Sequence, residues 1–293
     1  MKRVLTVGSR DSKLAVAQTQ IVIKELQRVS PELEIQLATF KTTGDRILDK
    51  TLDQVGGKGL FVKELDEALL KGKIDFAVHS LKDLPMETHP DLPIVACLRR
   101  GDPRDALVRP ANMETPVTII GTSSARRRLQ VSSLFPKASC RSVRGNINTR
   151  LEKLDRGEYS ALILAAAGLI RAGVEERISR YFSPEEIIPA AGQGILAVQC
   201  YRDFDGKEIF RLLNHRETEW AALAERGFVR ALDGGCSAPT AAYARLSGNE
   251  LVLTGFYADV SGTFQVKGTL TGPADHAEKI GVCLAERLRK EIK

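Results

Sequence analysis

The chain has 293 residues, a net charge of +6 and 43% hydrophobic residues, totals that predict roughly two or three domains with ordinary buried cores. Aromatic residues make up only 5% of the chain, which argues against the stacking surfaces of single-stranded nucleic-acid binders. The longest apolar run, 161–170, is too short to span a bilayer, and no apolar signal segment follows Met1. We therefore expect a cytoplasmic protein that binds neither membranes nor nucleic acid.

The first predicted unit is a strand, a Gly-Ser turn and a helix. The apolar run 4–7 is typical of a buried strand, and Ser12 is a suitable N-cap for the helix that follows. A helix N-terminus beside such a turn binds anions through its unpaired N–H groups. Arg10, in this turn, therefore has two interpretations, an anion ligand or an ordinary surface arginine.

Two further segments of the first half carry candidate residues. The glycine-rich piece 55–59 lacks the Ser or Thr of a Walker loop, and it is interpreted either as a flexible loop or as a lid that carries Lys58. Lys82 and Asp83 follow the predicted strand 74–78, at the end of the strand where α/β sheets bind ligands. They form either a surface ion pair or a cleft in which cations keep Asp83 ionised, so that it accepts an N–H group and stabilises a developing positive charge.

Arginines and small hydroxyl residues are concentrated in the stretch 121–150, after the strand-like runs 117–120 and 140–143. Arginine grips carboxylates and phosphates with two parallel bonds, so several arginines on one wall predict a polyanionic ligand. Arg171, after the apolar run 161–166, either adds a cation to the same edge or is an ordinary solvated arginine. The candidate residues of the stretch are Ser123, Ser124, Arg126, Arg127, Arg128, Arg141, Arg144 and Arg150.

The order of the elements predicts an α/β fold with two similar doubly wound lobes, of the kind found in periplasmic binding proteins, and a small α+β C-terminal domain. The turn-rich segment 189–194, which contains Gln193, is interpreted as a hinge between the lobes. The predicted domains are residues 1–98 with 195–215, residues 103–190, and residues 216–293.

Cys236 stands out among the five cysteines because Gly234 and Gly235 place it on a sharp turn. The cysteines form no Cys-x-x-Cys pair, so neither a zinc site nor a disulfide framework is predicted. Most single cysteines are inert packing residues, and a nucleophile pair of Cys236 with His79 or His215 has no support in the local sequence.

Together these motifs resemble the porphobilinogen deaminases, also called hydroxymethylbilane synthases, over essentially the whole chain. The matching pieces are GSRDSKLA at 8–15, GKGLFVKE at 57–64, VHSLKDLP at 78–85, GTSSARR at 121–127, RGN at 144–146 with Arg150, AAGL at 166–169, PAAGQG at 189–194 and GGC at 234–236. Asp11 and Ala125 depart from the family pattern, but neither departure removes a charged site position.

The resemblance implies a transferase that carries a dipyrromethane cofactor on Cys236 through a thioether bond. Porphobilinogen units add to it one by one, each with loss of ammonia, until the linear tetrapyrrole hydroxymethylbilane is released. It implies that Asp83 is catalytic and that the protein is a monomer without a metal ion. The implied cofactor contacts are Lys82, Asp83, Ser124, Arg126, Arg127 and Arg150; the implied substrate contacts are Arg10, Ser12, Arg144, Arg171 and Gln193; the implied lid residues are Lys58 and Phe61.

An alternative from a different class is a two-lobed binding protein for an anionic small molecule. It suits the paired lobes and the arginines, but it predicts a secretory signal and no role for Cys236 in a third domain.

Overall fold

The computed structural model describes residues 4–46, 59, 61–110, 116–233, 239–259 and 261–291. Lys58 and Cys236 lie outside these ranges.

The first lobe is a mixed five-stranded sheet. Its elements are β1 Val4–Arg10, α1 Lys13–Val29, β2 Glu34–Phe40, α2 Thr43–Arg46, α3 Lys63–Leu70, β3 Phe76–Ser80, a 3-10 turn Leu81–Asp83, β4 Ile94–Cys97 and β10 Leu196–Cys200. The strand order is β2-β1-β3-β10-β4, with β1 parallel to β2 and β3 and with β10 antiparallel to β3 and β4. Val7, Phe76 and Val198 are fully or almost fully buried between the sheet and α1, because the central strands are apolar on both faces.

The second lobe repeats this plan with other residues. Its elements are β5 Asp105–Val108, β6 Ile119–Gly121, α4 Ala125–Leu134, β7 Ser139–Arg141, α5 Ile147–Asp155, β8 Ala161–Ala165, α6 Ala166–Arg171, a 3-10 turn Glu175–Arg177 and β9 Ile178–Tyr181. The strand order is β7-β6-β8-β5-β9, with β6 parallel to β7 and β8 and with β5 antiparallel to β8 and β9.

The two crossings between the lobes enter equivalent places in the two sheets. The first crossing leads from β4 into β5, and the second leads into β10. The two strands that the crossings enter, β5 and β10, are each the fourth in their sheet and antiparallel to both neighbours. The prediction of two similar α/β lobes is therefore confirmed.

The third unit packs two helices on a three-stranded antiparallel sheet. Its elements are α8 Arg216–Ala231, β11 Thr240–Ser247, β12 Glu250–Ala258, β13 Gln265–Pro273, a 3-10 turn Ala274–His276 and α9 Ala277–Glu291, preceded by the short helix α7 Glu208–Arg211. A Cβ atom on Gly281 of α9 would collide with the backbone oxygen of Ala224 in α8, so glycine permits the close helix contact. The small α+β domain is as predicted, while the domain boundaries given above stay a prediction.

Two strands of the second lobe were not predicted, β5 and β9. Each has four residues, β5 begins with the charged Asp105, and β9 contains Arg180. Charged residues are seldom buried without a partner, so neither segment has the pattern of a sheet strand in isolation.

Candidate active site

The candidate residues follow the carboxyl ends of parallel strands in both lobes. Arg10 is the last residue of β1, and the turn with Lys82 and Asp83 follows β3 directly. In the second lobe, β6 leads to α4, which carries Arg126 and Arg127, and β8 leads directly into α6. This is the edge at which α/β sheets bind ligands, so the predicted placement of these residues is confirmed.

Two of the predicted serines cap helices at this edge. The Ser12 hydroxyl accepts a hydrogen bond from the backbone N–H of Ala15 at 3.3 Å, and the Ser124 hydroxyl accepts one from the N–H of Arg127 at 3.4 Å. Each hydroxyl thus pairs one of the N–H groups left without a partner at the start of a helix. The ligand contacts of Ser12 and Ser124 stay a prediction.

Lys82 and Asp83, of the first lobe, interact electrostatically with arginines of the second lobe. Burial lowers the pKa of Lys82 to about 8, and the neighbouring Asp83 carboxylate opposes this shift. The Asp83 charge also raises the pKa of Arg150, which belongs to α5 of the second lobe. Asp83 is therefore an anion placed where cationic groups of the two lobes meet.

Three arginines of the second lobe create an excess of positive potential. Arg150 donates from Nε to the carbonyl oxygen of Gly145 at 2.8 Å. Burial, followed by the positive charges of Arg127 and Arg144, lowers the pKa of Arg150 to about 10. Such mutual repulsion is relieved when an anion binds between the cations, which suits a ligand that carries carboxylates.

Arg126 and Arg127 are held by a carboxylate that the sequence analysis did not single out. Asp105, the first residue of β5, has no exposed surface and accepts hydrogen bonds from Arg126 at 2.7 Å and from Arg127 at 2.7 and 3.1 Å. The two guanidinium groups hold the pKa of the Asp105 carboxyl well below its usual range, against the effect of burial. In the local sequence, Asp105 differs from a surface acid only in that it begins the otherwise apolar segment 105–108.

Arg171, the last residue of α6, lies at the gap between the lobes. Arg171 donates to the carbonyl oxygen of Gly194 at 2.6 Å, and burial lowers its pKa to about 10. Arg171 also lines a pocket between the lobes together with Lys13 of α1 and Asn146, the N-cap of α5.

The guanidinium of Arg10 lies 4.4 Å from the ring centroid of Phe61, a distance typical of a cation–π contact. A side chain at Gly44 would collide with the Phe61 ring, so this glycine permits the stacked position. Phe61 thus lies beside a predicted substrate-binding arginine, and its role as a lid residue stays a prediction.

Gln193 lies at the second crossing and is fully buried. Its amide nitrogen donates to Pro103 O at 2.8 Å and to Asp105 at 2.9 Å, and its amide oxygen lies 3.4 Å from Lys82 Nζ and 3.5 Å from Arg127. It links the two crossings and both lobes. This placement favours a positioning role, and its direct substrate contact stays a prediction.

The helix that precedes Cys236 in the chain packs close to Asp83. Arg226 of α8 donates to the carbonyl oxygens of Pro85 at 2.6 Å and Met86 at 2.9 Å, just after the Asp83 turn. In the sequence, Cys236 comes five residues after Ala231, the last residue of α8. The second half of α8 is thus anchored, through Arg226, to the segment that follows the predicted catalytic aspartate.

Neither of the two histidines considered above as a partner of Cys236 is arranged as a general base. His79 is buried in β3, and burial lowers its pKa to about 4. The His215 ring caps α8 by accepting from the backbone N–H of Thr218 at 3.3 Å.

No helix in the described part of the chain is long and apolar enough to cross a bilayer. Within the same residues, no cluster of three or more His, Cys, Asp or Glu side chains has the arrangement of a metal site.

Comparison with known proteins identifies the family. Residues 5–208 match the family model described as porphobilinogen deaminase, dipyromethane cofactor binding domain, and residues 220–290 match the porphobilinogen deaminase C-terminal domain. The porphobilinogen deaminase of Acetivibrio thermocellus is 52% identical over 98% of both chains, and that of a Nostoc species is 44% identical over 99% of this chain and 92% of its own. Among solved structures, the periplasmic aliphatic sulphonate binding protein SsuA of Escherichia coli aligns with a TM-score of 0.43 at 13% identity, over 78% of this chain and 70% of its own. The chain therefore belongs to the porphobilinogen deaminase family of tetrapyrrole-synthesising enzymes and carries both domains of that family.

Proposed function

We propose that this chain joins porphobilinogen units into hydroxymethylbilane at the cleft around Asp83, on a dipyrromethane primer held by Cys236. The reaction is that of the family, a group transfer with loss of ammonia at each addition. The observation that carries the assignment of the site is that the Asp83 charge acts both on Lys82 of its own lobe and on Arg150 of the other lobe, whose pKa values it raises.

Asp83 is the proposed catalytic residue. Loss of ammonia from porphobilinogen leaves a cationic, azafulvene-like species, and an ionised carboxylate stabilises this charge and accepts the pyrrole N–H. A unit charge pair at about 4 Å interacts by about 4 kcal/mol at an effective dielectric constant near 20, before the cost of desolvation. An interaction of this size lowers the barrier when the charge exists only in the transition state.

The cationic side chains are the proposed carboxylate-binding groups. Each pyrrole carries an acetate and a propionate, so primer and growing chain present many carboxylates to one cleft. A hydrogen bond to a charged group contributes about 1.5–3 kcal/mol, which is enough to fix the position of each ring by its acids. The proposed contacts are Lys82, Ser124, Arg126, Arg127 and Arg150 for the primer and Arg10, Ser12, Arg144, Arg171 and Gln193 for the incoming units.

The residues present fit a covalently tethered, acidic primer. The positive charges of Arg127 and Arg144 disfavour the charged form of Arg150, and the carboxylates of the primer would offset that effect. The bound primer supplies the pyrrole carbon to which the first porphobilinogen unit is joined. The chain itself supplies the thiol of Cys236, the orientation of the acids and the anionic Asp83.

Intact-mass measurement of the native protein tests this proposal. The mass should exceed that of the sequence by two pyrrole units, and Cys236→Ser should remove the addition. Cys283→Ser is the matched control, since Cys283 is an exposed free thiol on α9. An active protein with the unmodified sequence mass would contradict the covalent primer, and an adduct that persists in Cys236→Ser would move the attachment elsewhere.

We further propose that the protein acts as a cytoplasmic monomer. The described residues proposed for the cleft come from the two lobes of one chain, which supports this. Light scattering at several concentrations should return the mass of one chain, and a stable larger mass would contradict it.

A further inference from the structure

Asp105 is a buried carboxylate that lies where the second lobe meets the second crossing. One oxygen accepts from Arg126, and the other accepts from Arg127 and from the Gln193 amide at 2.9 Å. Its donors come from α4 and from the second crossing, and Asp105 itself ends the first crossing. A fully buried, ionised carboxylate with this many charge-assisted bonds holds its partners in fixed positions.

The contacts of Asp105 reduce the positive charge and the number of N–H donors with which Arg126 and Arg127 can bind a ligand. Arg126 is only 4% exposed and also donates to the carbonyl oxygen of Ile188, while Arg127 also donates to the carbonyl oxygen of Ile163. Two guanidinium charges and one carboxylate leave one net positive charge. The pair is therefore a prearranged unit rather than two independent anion-binding arginines.

Asp105 also determines how Gln193 is oriented. The Gln193 amide nitrogen faces two acceptors, Asp105 and Pro103 O, and its oxygen faces two cations, Lys82 and Arg127. The flipped amide would point its oxygen at a carboxylate and its N–H groups at two cations. Only one orientation satisfies the network, and it directs a carbonyl oxygen toward the ammonium of Lys82.

We propose that Asp105 is a positioning residue for the family's reaction: through Gln193 and the arginine pair, it holds Lys82 as a charged group beside Asp83. The proposal rests on the proposed function, in which Lys82 binds a carboxylate of the primer. Asp105 touches no substrate in this scheme and acts only through its neighbours.

The pKa of Lys82 depends on the charges around it, including that of Asp105. A purely structural role of Asp105 would not predict a change in this pKa. After burial, the charges that act on the pKa of Lys82 are those of Asp83, Arg127, Asp105 and Arg126. The two carboxylates raise this pKa and the two arginines lower it. Removing the charge of Asp105 takes away one of the raising contributions, so the pKa of Lys82 falls from about 8 and the ammonium loses its proton at lower pH.

The test is competitive labelling of lysines with acetic anhydride between about pH 6 and 10, with the modification of Lys82 followed by peptide mass spectrometry. In Asp105→Asn the labelling midpoint of Lys82 should move down by about one pH unit, and in Asp105→Glu it should return toward the wild-type value. Asp102→Asn is the matched control, because Asp102 lies in the same crossing and pairs with Arg104 instead. Its Lys82 midpoint should equal that of the wild type.

A second variant covers the case in which Asp105→Asn does not fold. Gln193→Met keeps Asp105 and both arginines and removes the side-chain amide, both the carbonyl that faces Lys82 and the N–H groups that bind Asp105 and Pro103 O, so it should also lower the Lys82 midpoint. A folded Asp105→Asn, or a folded Gln193→Met, that titrates Lys82 as the wild type does would overturn the proposal. The label reads Lys82 itself, so that result would leave the covalent primer and the family's reaction unaffected.

Discussion

At the residue scale, the site depends on one anion among several cations. Asp83 follows a buried strand, and the Lys82 and Arg150 charges act on it from both lobes. An amide in its place would keep the shape and lose the charge. The charge, rather than the volume, is what the proposed mechanism needs.

Asp83→Asn should lower kcat by at least about a hundredfold, because a preorganised charge at the reacting centre is typically worth this much or more. Steady-state kinetics would measure the change, and the intact mass should show that the primer is still bound. Asp91→Asn is the control, since Asp91 is a partly exposed acid paired with Arg202 at 3.3 Å. A near-normal rate for Asp83→Asn would remove Asp83 from the catalytic role.

At the element scale, the third domain depends on the close approach of α8 and α9. Gly281 lies against the backbone of Ala224, and Gly227 lies against the backbone of Glu278. At a solvent-exposed position inside a helix, glycine is less favourable than alanine by about 1 kcal/mol. Glycine at both contact positions therefore indicates that helix packing outweighs helix propensity here.

Gly281→Ala should lower the free energy of unfolding by about 1–3 kcal/mol, because the added methyl group collides with backbone that cannot rotate away. Chemical denaturation would measure this. On propensity alone the same substitution would raise stability, so the sign of the effect is the diagnostic result. Lys279→Ala, an exposed change on the same helix, should leave stability nearly unchanged. A stabilised Gly281→Ala would show that the helices can move apart.

At the scale of the whole molecule, Glu225 joins the third domain to both crossings. This fully buried carboxylate of α8 accepts from Arg100 at 2.5 and 3.3 Å, from the N–H of Gly192 at 2.7 Å and from the N–H of Ala244 at 2.8 Å. Arg100 belongs to the first crossing, Gly192 to the second, and Ala244 to β11. One side chain thus connects the lobes to the domain that contains Cys236.

Glu225→Gln should lower the free energy of unfolding by about 3 kcal/mol or more, because it leaves the Arg100 guanidinium buried without its counter-charge. Limited proteolysis should also cut more readily near the crossings, since the third domain loses an anchor. Glu278→Gln is the control, because its pair with Arg230 is largely exposed and such pairs contribute little. Equal stability of Glu225→Gln and the wild type would show that the apolar contacts alone hold the domain.

The sequence alone determined the local structure and the kind of chemistry. Apolar runs marked most strands, Ser12 marked a helix start, and the positions of Arg10, Asp83 and Arg126 after strands marked one edge of the sheets. These features depend on residues within a few positions of one another, which is why pattern and family resemblance predicted them.

The tertiary structure decided which charges are paired. Asp105 meets Arg126 and Arg127 across about twenty residues, and Glu225 meets Arg100 across 125. Neither acid has a local pattern that distinguishes it from a surface residue. A buried charge is stable only beside a partner, and which partner is available depends on the parts of the chain that share one buried volume, a property that exists only once the chain has folded.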